Sequence, residues 1–358
     1  MPLRLALVGY PRVGKSTLFR IVTGGFEGGE DSLPPGKPAV GMAKVPDGRL
    51  EQLRDLFRPR KFTPATLECW DLPGWVGEEG REQLATEPIK QADGLLHVVR
   101  AFESPWVPRH PGSCDPRSDV TSFDFELILA DHTVLSRRLE RLTTGAKRAL
   151  TPEEVRERTL LQEKVLPALE AERPIRTLEL NEEEERKLRG FQLLSAKPLL
   201  VVLNVEESQA GLARPEDFGF GKPNDPPVLM VSAPIELEIS RLSLEEQAAF
   251  LKELGWEEPS LNRVVRACYE LLGLLSFFTV GEDEVRAWTV RRGTRAREAA
   301  GVIHSDLERG FIRAEVVRWE ELVKFGSIAA CREHGKLRLE GKEYVVQDGD
   351  VLHIRFHV

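Results

Sequence analysis

The residues with the most definite chemistry stand near the start of the chain. Gly9-Tyr10-Pro11-Arg12-Val13-Gly14-Lys15-Ser16 fits the pattern G-x-x-x-x-G-K-[ST], and Thr17 follows it. Glycines in such a run let the backbone wrap closely around a phosphate with no Cβ in the way. N–H groups turned into the loop, together with a helix opening behind it, supply partial positive charge. The Lys15 ammonium then reaches the β- and γ-phosphates, and the Ser16 hydroxyl ligates Mg²⁺. The expected cradle therefore takes in Gly9, Pro11, Arg12, Val13, Gly14, Lys15, Ser16 and Thr17. A second element is Asp71-Leu72-Pro73-Gly74. An Asp that ends an apolar strand can hold Mg²⁺ through a first-shell water, and the Gly74 N–H can meet a γ-phosphate. A third is Asn204-Val205-Glu206-Glu207 after the run LLVVL, where an Asn can bond the Hoogsteen edge of a purine. The fourth is Ser232-Ala233 after VLMV, where a backbone N–H can touch the base. Their order and their strand-end positions describe one purine nucleoside triphosphate site at the carboxyl edge of a sheet.

The elements that must position these residues follow from pattern. Residues 3–8 (LRLALV) read as a short buried strand rather than a signal peptide, and 17–23 as the helix after it. Further strands are expected at 65–72, 94–100, 199–203 and 228–231. Strands separated by helical stretches indicate an α/β fold with a parallel sheet. Residues 24–41 are rich in Gly and Pro and have no period, so they read as a long surface loop. Apolar residues recur at helical spacing in 125–142, 155–171 and 182–194, which suggests a helical hairpin inserted into the α/β domain. After Gly273 the pattern changes to β-type runs at 277–290 and 336–358, with short helices at 296–300 and 319–325, as in a small α+β domain.

Composition narrows the class. With 358 residues the chain should hold two or three domains, and 41% hydrophobic residues suffice for real cores. A net charge of −8 and a pI near 5.6 argue against a generic electrostatic nucleic-acid binder, while leaving room for a local basic patch. Cys69, Cys114, Cys268 and Cys331 are scattered without ligand spacing, which fits a reducing, cytoplasmic setting. No run is long enough to span a membrane. Residues Arg286, Arg291, Arg292, Arg295 and Arg297 cluster in sequence around Trp288, a combination suited to RNA backbone and base contact. His97, inside an apolar strand, reads as a satisfied core residue. Asp131 and His132 have no nucleophile beside them.

With these elements placed, the chain resembles the YchF family of Obg-related P-loop translation-factor GTPases and ATPases. The resemblance spans nearly the whole length and is densest in RACYELLGLLSFFTVGEDEVRAWTVRRGT, AAGVIHSDLERGFIRAEVV and GKLRLEGKEYVVQDGDVLHIRF. It implies a G domain at 1–118 and 197–275, an inserted antiparallel helical domain at 119–196, and a C-terminal TGS domain with a ubiquitin-like β-grasp fold at 276–358. It also implies slow Mg²⁺-dependent hydrolysis of GTP or ATP, and ribosome or RNA contact through the TGS and helical domains. The usual guanine-reading motif is N-K-x-D, whose Asp accepts two hydrogen bonds from guanine. Here Val205 and Glu207 occupy the Lys and Asp positions, and losing that bidentate contact removes roughly 1–3 kcal/mol of discrimination. Weak guanine specificity, with ATP accepted, is the expectation.

Three departures from the family pattern concern turnover. Trp75 follows Gly74 where many GTPases carry a water-orienting Gln. Pro35 stands where the family has a Thr that ligates Mg²⁺, and proline offers neither hydroxyl nor N–H; Ser32 is the nearest substitute. Arg12 replaces an Asn that helps related enzymes hold K⁺ near the phosphates. Lys15, Gly74 and Arg12 are thus the residues expected to act on the transferring phosphoryl group, with Ser16 and Asp71 holding the metal. The competing expectation is a nucleotide-stabilised RNA- or ribosome-binding module without significant hydrolysis. A small-molecule kinase is a third reading, disfavoured by the TGS-like C-terminus. If Arg12 supplies a fixed charge in place of K⁺, phosphate release should not respond to added KCl; a several-fold rise over NaCl controls contradicts this.

Overall fold

The computed structural model describes residues 3–25, 38–73, 86–109, 113, 115–144 and 149–357. Ser32, Pro35, Gly74, Trp75 and Cys114 lie outside the described residues. Twelve strands occur among those described: β1 (Arg4–Val8), β2 (Ala39–Lys44), β3 (Lys61–Thr63), β4 (Thr66–Asp71), β5 (Gly94–Ala101), β6 (Leu199–Val205), β7 (Val228–Val231), β8 (Leu274–Thr279), β9 (Glu284–Arg291), β10 (Phe311–Arg318), β11 (Arg338–Glu340) and β12 (Asp350–Phe356). The chain forms two compact units, 1–41 with 68–261 and 42–67 with 262–358. The second unit therefore takes residues 42–67 from within the stretch read as the first part of the G domain.

The first unit is built on a sheet ordered β2-β4-β1-β5-β6-β7. From β4 to β7 every neighbouring pair is parallel, with Leu7 opposite Asp71, Val8 opposite His97, Arg100 opposite Asn204, and Asn204 opposite Val231. All eight residues of β5 and all seven of β6 are buried, as expected for central parallel strands covered on both faces. Parallel pairing brings the carboxyl ends of β1, β4, β5, β6 and β7 to one edge. Helix α1 (Lys15–Thr23) starts two residues earlier than its apolar period suggests, because the loop before it already turns into the helix. Strand β2 falls partly within the stretch read as loop; Gly41 at its centre packs against Thr23 and Phe19, where a Cβ would lie 2.6 Å from a Thr23 methyl.

The inserted helices form their own core of Ile128, Leu135, Leu142, Leu161, Val165, Leu166, Leu169 and Leu188. The helix expected from 125 begins at Pro116, because Asp115 accepts from Ser118 N–H and Pro116 fills the first turn, where no donor is needed. The helix expected at 155–171 is broken by a wider turn at Leu161–Val165, where Leu166 N–H donates to Leu161 O five residues back, just before Pro167. Asp131, buried on the long helix, accepts from Leu194 N, Ser195 N and Ser195 Oγ at 2.7–2.8 Å. It is a structural anchor for the return to β6.

In the second unit the sheet order is β11-β10-β12-β8-β9-β3. Two antiparallel pairs, β8–β9 and β10–β12, join through parallel β12–β8, and the helix Ala296–Ile303 packs Ala296, Ala299 and Ala300 onto them. This is the expected β-grasp, extended at one edge by β3 in parallel with β9. Helix α2 (Gly48–Phe57), which precedes β3, is capped by Asp47. Its Arg49 makes a forked contact to Asp348, 2.7 Å and 3.3 Å, while its guanidinium lies 5.4 Å over Phe278. Asp348 also accepts from Ser276 N–H at 2.9 Å, so one carboxylate ties α2 to β8. Truncation by Arg49→Ala removes a charge-assisted fork and its stem packing, about 2 kcal/mol. Thermal unfolding followed by circular dichroism should show the midpoint lowered by a few degrees; an unchanged midpoint contradicts this role.

Candidate nucleotide site

The loop between β1 and α1 takes its shape from three left-handed residues, Gly9 (φ 140°), Arg12 (φ 64°) and Gly14 (φ 101°). At Gly9 a Cβ would lie 2.2 Å from Val98 O, and at Gly14 2.5 Å from Asn204 Nδ2, so both positions exclude any side chain. Among the described residues no side chain caps the start of α1, and its first turn holds no acidic residue. The N–H groups there are available to an anion. Arg12 is exposed, as is Ser16, while Val13 is buried. Pro11 and Thr17 are half-buried members of the same turn.

Lys15 is buried, and its ammonium donates to Tyr10 O at 3.3 Å. Burial lowers its pKa, and the nearby Asp71 carboxylate partly offsets that effect. Asp71, at the end of β4, is buried too. Desolvation raises its pKa, against a hydrogen bond from Ser16 and the charges of Lys15 and Arg20. Its Oδ1 has no partner among the described residues. A buried carboxylate oxygen left open beside a hydroxyl suits a hard divalent cation, so Ser16 and Asp71 fit Mg²⁺.

Asn204 closes the site from the other side. Its Nδ2 donates to Val13 O at 2.9 Å, and its Oδ1 accepts from Ala233 N–H at 3.0 Å. The side chain expected to face a purine therefore bridges the phosphate loop to the start of the helix Ala233–Arg241, and the Ala233 N–H is engaged by that bridge. Val205 is buried, Ser232 is buried with its Oγ unpartnered among the described residues, and Glu207 is exposed in a short turn. The geometry thus joins Gly9 to Thr17, Asp71, Asn204 and Ala233 into one cluster. Sequence reading passed over Arg100, at the end of β5. Its buried guanidinium donates to Phe102 O (2.9 Å) and Val107 O (2.6 Å) and folds the next loop back onto the strand. An Arg closing an otherwise apolar run was the available signal.

Two other expectations need correcting. His97 is fully buried as expected but not satisfied: neither ring nitrogen has a partner among the described residues. Its ring packs 4.4 Å from Phe123, and burial, reinforced by the charges of Arg176 and Lys15, pushes its pKa down to about 3. Trp288 is not an open stacking platform. Its Nε1 donates to Thr279, one face packs near Phe277, and Arg286 sits 3.8 Å from its centre.

Comparison with known proteins gives the family and the fold. Residues 4–128 match the family described as "50S ribosome-binding GTPase", and residues 274–357 match YchF-GTPase_C, "Protein of unknown function (DUF933)". The chain is 42% identical, over the full length of both, to a Bacillus subtilis protein named "Ribosome-binding ATPase YchF". It is 40% identical over both full lengths to the Haemophilus influenzae protein of that name. The chain belongs to the YchF family. The solved YchF GTPase of Schizosaccharomyces pombe superposes with a TM-score of 0.83 at 29% identity, covering 99% of this chain and 97% of that one. Its fold is that of the YchF family: a P-loop G domain, a helical insert and a C-terminal TGS domain.

The raised pKa of Asp71 has a consequence for stability. A carboxyl whose pKa is higher folded than unfolded contributes stability below the unfolded value, near 3.8, and that contribution is lost as pH rises through the folded pKa. Burial thus makes the ionised Asp71 less favourable in the folded chain than in the unfolded one. Asp71→Asn should raise the melting temperature of Mg²⁺-free protein at pH 7, and the gain should shrink as pH falls toward 4. A lower melting temperature at pH 7 contradicts the assignment.

Proposed function

We propose that this chain is a Mg²⁺-dependent P-loop ATPase that also accepts GTP, turns over slowly, and works in the cytoplasm on the ribosome. The observation that carries the reading is the cluster at the carboxyl edge of the first sheet. A buried ammonium rests on a carbonyl, an open carboxylate oxygen stands beside a serine hydroxyl, and a glycine loop leaves its helix uncapped. Triphosphate oxygens replace Tyr10 O as partners of Lys15, and the N–H groups of 13–17 hold the phosphates. Ser16 and Asp71 hold Mg²⁺, which neutralises charge on the transferring phosphoryl group. Gly74 N–H meets the γ-phosphate, and Arg12 adds positive charge at the rim.

Names of the relatives support ATP as substrate and the ribosome as partner. The sequence supports the weak base choice, since Val205 and Glu207 replace the residues of a guanine reader. Asn204, Ser232 and Ala233 line the base end, Asn204 mainly by holding the loop in place. No helix among the described residues is long and apolar enough to cross a membrane. Trp75 and Pro35 leave no side chain to orient water or sense the γ-phosphate at those positions, so the rate should fall well below the roughly 1–100 s⁻¹ of kinases.

Phosphate release from ATP and GTP, for wild type and Lys15→Ala, tests the catalytic part. The expected result is slow Mg²⁺-dependent release by wild type and a loss of two orders of magnitude or so in the variant. Equal rates would leave a nucleotide-stabilised ribosome-binding module.

A further inference from the structure

Sheet order places one segment between the phosphate end and the base end of the site. Strand β5 lies between β1, which feeds the phosphate loop, and β6, which ends in Asn204. All three run parallel, so the loop after β5, residues 102–109, emerges between those two elements. Arg100, which opens onto that loop, is the direct neighbour of Asn204 in the sheet.

The loop is built, not loose. Arg100 holds the Phe102 and Val107 carbonyls. Ser104 Oγ accepts from Trp106 N–H at 3.3 Å and Val107 N–H at 3.2 Å. Arg109 pairs with Glu103 at 2.5 Å. Glu103 N–H donates to Glu206 Oε1 at 3.0 Å, which ties the loop directly to the Asn204–Glu207 segment. Yet the residue this scaffold presents is Trp106, 90% exposed, the most exposed large apolar side chain among those described. So much ordered backbone holding an indole in water calls for a partner with a flat apolar face.

We propose that Trp106 stacks on the purine of the bound nucleotide. This inference rests on the nucleotide reading of the site and deepens it. A stacking face explains how a purine is retained when the Asp of a guanine reader is replaced by Glu207. Stacking is tolerant of base identity because every base offers a π-face. It adds affinity without distinguishing adenine from guanine, in keeping with a site that lacks bidentate edge recognition. Asn204 spends one amide N–H on Val13 O and accepts from Ala233 N–H, so a single side-chain donor is left for a purine edge, too little for bidentate recognition. Arg100 acts as a positioning residue behind Trp106.

The test is calorimetric titration of ATP, GTP and inorganic tripolyphosphate, each with Mg²⁺, into wild type, Trp106→Ala and Trp106→Phe. Trp106→Ala should weaken ATP and GTP alike by about tenfold and leave tripolyphosphate unchanged, and Trp106→Phe should recover most of the loss. Unchanged ATP affinity in Trp106→Ala overturns the proposal, as does an equal loss for tripolyphosphate, which would mark the loop as part of the phosphate site. Normal ATP affinity with lost cosedimentation on ribosomes overturns it in favour of a macromolecular anchor. Wild type that binds tripolyphosphate but no nucleotide overturns the stacking alone; wild type that binds neither overturns the site reading itself.

Discussion

One buried amide holds the site in shape. Asn204 uses its nitrogen on Val13 O and its oxygen on Ala233 N–H, and so locks three chain segments that are far apart in sequence: the loop after β1, the end of β6, and the start of the helix after β7. A phosphate loop is a run of unpaired donors around a void, and such a turn has no reason to keep its form unless something outside it does the holding. Here both polar ends of one side chain do so at 3% exposure, where an unmade hydrogen bond costs more than in water. The glycine requirement at position 14 follows from the same contact, because a Cβ there would meet that amide.

Charge burial around this bridge sets the molecule's tension. Lys15 and Asp71 are both withdrawn from water, and for each the desolvation effect outweighs the attraction of the other. Among the described residues the ammonium leans on one carbonyl, and one carboxylate oxygen has no partner. Groups so placed cost stability, and such costs cluster where a ligand can complete the set. His97 lies deeper beneath the same edge and stays neutral across the physiological range, so it contributes no switch of its own.

Much of this was legible from residues alone, for physical reasons that differ from part to part. The glycine–lysine run, the Asp at the end of β4 and the apolar runs of β5 and β6 are local signals, and each reports on its own surroundings. The helix start at Pro116 was missed because capping by Asp115 outweighs a weak apolar period over its first turns. Strand β2 was hidden by the Gly and Pro around it, and the placement of 42–67 with the C-terminal sheet rests on contacts distant in sequence, the β3–β9 pairing and the Arg49–Asp348 pair, 299 positions apart. No period or motif encodes a contact of that separation. The role of Asn204 was half legible: its position at a strand end pointed to the nucleotide site, but the partner of its amide is a backbone carbonyl, which sequence cannot show. Trp288 failed as a stacking platform for a related reason, because Thr279, Phe277 and Arg286 reach it only once β8 and β9 pair.

The account stands on the phosphate loop being preformed and held by the Asn204 bridge. Calorimetric titration of ATP with Mg²⁺ into Asn204→Ala, with helical content checked by circular dichroism, measures this directly. The account predicts a folded protein whose affinity is about tenfold or more weaker than wild type. A folded variant that binds ATP as tightly as wild type would contradict it.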